Sequence, residues 1–131
     1  MFKEKLELDI RGRVAFIYDT GEVVRYDNAI QATAKEIVSK ALIGNVTGLI
    51  DTIELYNLGI LICSRPVTVK SIVNATEVEF DALFDAASFN SHVDEARLKA
   101  SALGYFSIVT GVDITKTSIQ SILVSWTIQI V

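Results

Sequence analysis

The chain has 131 residues, half of them hydrophobic, and a formal net charge of −4. A chain of this length is one domain by default, and its Lys and Arg residues are scattered rather than gathered into a stripe, which argues against a nucleic-acid surface. No apolar run approaches the ~18 residues of a membrane-spanning helix, and the opening "MFKEKLELDIRG" alternates charge with hydrophobe, unlike a secretory signal.

"KLELDIRG" (5–12) alternates Leu6, Leu8 and Ile10 against Lys5, Glu7 and Asp9, the pattern of a half-buried strand. "RVAFIYDTGEVVRYD" (13–27) reads as a hairpin whose turn is Asp19 to Glu22, with Gly21 free to take a positive φ. In the following stretch Ile30, Ala34, Ile37, Val38, Ala41 and Leu42 recur at helical spacing. That stripe predicts an amphipathic helix at about 29–43, capped by Asp27 or Asn28 and ended by Gly44.

After Gly48 the apolar period returns to two. "LIDTIELYNLGILICS" (49–64) is one bent strand or two short ones broken near Asn57–Gly59. "VTVKSIVNATEVEFDALF" (67–84) reads as two strands around Asn74 and Ala75. In the second, Val78, Phe80, Ala82 and Phe84 share a face, opposite Glu77, Glu79 and Asp81. Residues 85–104 suit either a short helix or a loop with a brief strand; "YFSIVTGV" (105–112) is a strand and "DITKTS" a link.

The last segment, "SILVSWTIQIV" (121–131), places Ile122, Val124, Trp126, Ile128 and Ile130 on one face and Leu123 and Val131 on the other. So apolar a strand is a pairing hazard unless it lies inside its own sheet or meets a neighbouring chain. The count is seven to nine strands and one helix. It predicts a mainly β chain, an antiparallel β-sandwich with one amphipathic α-helix packed on it, in a single domain over 1–131. Trp126, Phe80, Phe84 and Phe106 are the expected core anchors. Leu123, Val131, Ile17 and Val23 are apolar on outward strand faces and are the candidate subunit interface.

Chemistry is sparse. Cys63 stands alone and is expected to be a buried, inert thiol. One Cys and one His (His92) do not supply a zinc ligand set. Ser91 and Asp94 lie too close to His92 in sequence to form a nucleophile–base–orienter arrangement with it. Glu77, Glu79 and Asp81 admit a cation site or an acid–base pair; the simpler reading is a solvated strand face, which could also meet a basic patch on another subunit. No GxGxxG or Walker-type loop is present, and no catalytic, cofactor or metal site is expected.

Short motifs then accumulate: "EVVRYDNAIQATAKEIVSKALIG" (22–44), "LIDTIELYN" (49–57), "VEFDALF" (78–84), "SFN" (88–90), "VDEARL" (93–98), "YFSIV" (105–109), "ITKT" (114–117) and "VSWTIQI" (124–130). Together they resemble the small structural proteins of tailed-bacteriophage virions, the tail, baseplate-collar or fibre-associated β-sandwich family. The chain departs from that pattern in carrying Arg97 where a Gly is common. The resemblance implies a non-enzymatic virion component, made in the host cytoplasm, that needs no cofactor. It implies assembly as a ring or collar at the tail or baseplate that anchors other tail or fibre proteins. The implied partners are copies of itself and other virion tail proteins, with no nucleic acid and no membrane span. The alternatives are a host-surface or carbohydrate-binding module of a tail fibre, or a capsid or neck decoration protein. Binding tips display loop aromatics, and here only Phe89 reads as one.

Overall fold

The computed structural model describes residues 9–130. Leu6 and Leu8 of the first predicted strand, and the candidate contact Val131, lie outside the described residues. Nine strands form: β1 (Ile10–Tyr18), β2 (Val23–Ile30), β3 (Thr52–Asn57), β4 (Ile60–Pro66), β5 (Val69–Asn74), β6 (Glu77–Phe84), β7 (Ser91–Ala100), β8 (Gly104–Lys116) and β9 (Ile122–Ile130). The helix α1 (Ala34–Leu42) and a single 3-10 turn (Val46–Gly48) lie between β2 and β3.

The chain is mainly β. All nine strands join one antiparallel sheet in the order β4-β3-β7-β8-β2-β1-β9-β6-β5. The sheet curls into a half-barrel. Its two halves are joined by a short β2–β8 pairing, Ala29 with Ile108 and Ile30 with Ser107. The apolar strand β9 is central: β1 pairs with it from Ile10–Ile130 to Tyr18–Ile122, and β6 covers its other side. Its backbone is thus satisfied within its own sheet.

Three local expectations change. The helix begins at Ala34, not near 29, because β2 continues through Ile30, held by β1 at Asn28 and by β8 at its end. "DITK" is strand, since β8 runs unbroken to Lys116. The undecided segment 85–104 contains β7. The helix ends as expected. Gly44 takes φ 73° and its N–H bonds Ala41, while the Asn45 N–H bonds the Lys40 carbonyl. That pair of bonds is the Schellman arrangement, which a residue with a Cβ adopts at a cost.

The core lies inside the curl. Trp126, Phe84 and Phe16 are fully buried and Phe106 nearly so. Phe80 is only partly buried and packs against the rim of the core. Helix α1 contributes Ala34 and Ile37, whereas Leu42, drawn on the same stripe, is 82% exposed. Asn28, expected as a helix cap, points into the core. With its amide turned so that the oxygen meets donors, it accepts from the Trp126 indole N–H at 2.9 Å and from the Arg13 backbone N–H at 3.1 Å, and donates to Ser107. Ser107 Oγ in turn donates to the Ala29 carbonyl. Gly12 makes room for this group, since a Cβ there would overlap the Asn28 amide.

Candidate functional site

Three of the four predicted contact residues share one outward row on the half-barrel. Val23 pairs with Ile17 across β2–β1, and Ile17 pairs with Leu123 across β1–β9. Leu83, opposite Leu123 on β6 and 51% exposed, extends the row. Leu83 was missed, although its parity in "VEFDALF" places an apolar side chain among the outward acids Glu79 and Asp81.

Below that row the same face is divided by charge. β1 and β2 present Arg11, Arg13 and Arg25, with one acid, Asp27, among them. β6 presents Glu77, Glu79 and Asp81. Between them β9 presents the uncharged Ser125, Thr127 and Gln129, so that Arg13 and Glu79 flank Thr127 and Ala15 and Asp81 flank Ser125. One ion pair bridges the strips, Arg13 to Glu77 at 3.4 Å. Asp81 is 8% exposed, and its Oδ1 has no hydrogen-bond partner among the described residues. Burial, and then the Asp81 charge, push the Glu79 carboxyl above the usual range against a hydrogen bond from Ser125. The acids are therefore not a freely solvated strand face.

A second polar group lies on the other half of the sheet. Glu54, buried on β3, accepts from Lys99 Nζ and from the Tyr56 hydroxyl, each at 2.9 Å. Tyr56 and Tyr105 share a hydrogen bond of 3.1 Å. The Arg97 guanidinium lies 4.1 Å from the Tyr56 ring centre and 4.8 Å from that of Tyr105, and pairs with Glu95 at 2.7 Å. Arg97 thus sits within β7, where it stacks on two aromatic faces. These polar groups point at one another, and the network ties β3 to β7 and β8.

Burial raises the Glu54 carboxyl, but hydrogen bonds from Lys99 and then the tyrosines outweigh it, and the net pKa lies below the ordinary 4.5. A depressed carboxylate adds stability above its unfolded pKa and loses it as pH falls through the folded one. Wild-type protein is thus expected to lose stability from about pH 4.5 downward. Glu54→Gln should be weaker at neutral pH and should show a shallower acid limb. Urea melts between neutral pH and pH 3 measure this; parallel curves for the two proteins would remove Glu54 from the acid response.

The remaining candidates are structural. Lys116 is fully buried, and its Nζ donates to the carbonyls of Ala86 (2.8 Å), Phe89 (2.7 Å) and Thr117 (3.0 Å). Those bonds draw in the segment after β6, so Phe89, expected as a loop aromatic, is 9% exposed and packs edge-on to Phe84 at 6.0 Å. His92 opens β7 and contacts Asp113 at 2.8 Å and Asn57 at 3.4 Å; Ser91 bonds elsewhere, and Asp94 accepts from the Leu58 backbone. Cys63 is buried, and burial pushes its thiol up, away from reactivity.

An apolar cleft of about 280 Å³ opens between α1 and the β5–β6–β9 side of the sheet, lined by Val38, Ala41, Leu49, Val78, Phe80 and Ile130 among others. Among the described residues, no group of three or more His, Cys, Asp or Glu is placed to hold a metal ion. No described helix is long and apolar enough to cross a membrane. No protein-family model, no curated protein and no solved structure matches the chain. What the fold and its surface define is a curled antiparallel β protein with an apolar, charge-divided outward face.

Proposed function

We propose that this protein is a non-enzymatic structural component of a phage virion that works by assembling, as a ring or collar at the tail or baseplate on which other tail or fibre proteins are anchored. One observation carries the assembly part of this reading: the unbroken outward row Val23–Ile17–Leu123–Leu83. Large apolar side chains aligned on a sheet face, here Leu83 exposed and the other three half-buried, suit a surface that another chain covers. The two sheet edges, β4 and β5, which pair with no further strand among the described residues, support it, and β5 exposes Ile72 (80%) and Val73 (52%). Unlike edges that meet on successive copies make a heterologous joint, which closes into a ring when the rotation allows. In that setting the β4-β3-β7-β8 and β2-β1-β9-β6-β5 halves act as the two layers of a sandwich, with α1 over one opening. The virion assignment itself rests on the motif resemblance. Native mass of the purified protein, alone and with its tail partners, tests the reading; a monomer in both would end it.

A further inference from the structure

We infer that two copies of this chain pair back to back through the outward face of β1, β9 and β6, related by a two-fold axis that lies in the face and runs along β9. This deepens the assembly reading and rests on it, and it assigns this face to two-fold pairing, leaving ring closure to the sheet edges.

Strand register sets what a two-fold would bring together. On this face the arginines stand on β1 and β2, the acids on β6, and uncharged β9 lies between them. Rotation about an axis along β9 exchanges the two sides while keeping each level along the strands. β1 of one copy then lies over β6 of the other. Arg13 and Glu79, which flank Thr127 at one level, meet across the joint. Arg11, which pairs with Asp9 at 3.1 Å in its own chain, and Glu77 flank Gln129 and face each other in the same way. Arg25 is at the level of Ala15 and Asp81, one strand further out, within the reach of its long side chain. The apolar row also meets itself, Leu123 on Leu123 and Ile17 on Leu83. Sheets stacked face to face stand about 10 Å apart, a gap that an Arg and a Glu side chain span together.

Charge complementarity selects a second copy over a foreign partner. A face with a basic strip, a neutral centre and an acidic strip at matching levels is its own complement under a two-fold, the requirement of an isologous joint. The intrachain Arg13–Glu77 pair at 3.4 Å is a surface pair, cheap to exchange for a better-placed contact.

The test is charge reversal with native mass and sedimentation on the 131-residue chain, circular dichroism confirming the fold. Arg13→Glu and Glu79→Arg each place like charges in both symmetry-related contacts, so each alone should weaken pairing by about tenfold or more and halve the mass. The double variant Arg13→Glu/Glu79→Arg re-forms both contacts with the charges exchanged and should restore the wild-type mass. Leu123→Lys puts two ammonium groups together on the axis and should halve the mass without rescue by either reversal. Single reversals that leave a multimeric mass unchanged, or a double variant no better than the singles, would overturn the pairing while the assembly reading stands. A wild-type chain that is monomeric alone and with tail partners would overturn both.

Discussion

Trp126→Ala is expected to cost about 3–5 kcal/mol, a large share of the ~5–15 kcal/mol that holds a domain folded. The side chain is fully buried at the centre of β9, between Val14 on β1 and Phe80 on β6. Truncation leaves a cavity that flanking strands of a continuous sheet cannot move to close. It also leaves Asn28 without the indole donor, so the Asn28–Ser107 group at the junction of the two sheet halves loosens. Trp126→Phe separates the two effects, since it keeps most of the packing and loses the hydrogen bond, for a smaller cost of about 1–2 kcal/mol. Urea melts of the three proteins give both numbers. An Ala variant that melts with the parent would remove Trp126 from the core.

Lys116→Met should cost about 2–4 kcal/mol even though Met has nearly the same length and is apolar. The ammonium serves three backbone carbonyls, those of Ala86, Phe89 and Thr117, in a site closed to water. Its removal leaves acceptors unpaired where nothing replaces the donor, and unmade buried hydrogen bonds cost more than made ones contribute. The damage should be local as well: hydrogen exchange should rise over residues 85–90, and Phe89 should lose its edge-on contact with Phe84. Equal stability and equal exchange in the Met variant would mean that packing of the stem, not the hydrogen bonds, keeps Lys116 inside.

How much of this was legible in the sequence follows from what each residue depends on. The hairpin, β6 and β9 were readable because period-two alternation is local and one buried face enforces it. The start of the helix was not. Ile30 fits the helical stripe, and it also shares parity with Val24, Tyr26 and Asn28 on the inward face of β2; only the partner strands decide between the two. Lys116 had a visible signal, being two and four residues beyond Ile114 and Val112 on the buried parity of β8. A lysine there reads as the end of a strand unless the carbonyls it serves are known. Closure into a single curled sheet rests on two residue pairs between β2 and β8, too little pattern for any sequence reading. The outward face was half legible. Leu123, Ile17 and Val23 follow from parity alone, but the arginines looked scattered because only the strand order sets β1 and β2 across β9 from the acids of β6.

The native mass of the purified 131-residue chain, alone and mixed with tail proteins, tests association through this surface most directly. The account predicts a discrete species that is an even multiple of the 131-residue chain, closed and reproducible in mass, and reduced by half in Arg13→Glu. A mass equal to one chain in both preparations would contradict it.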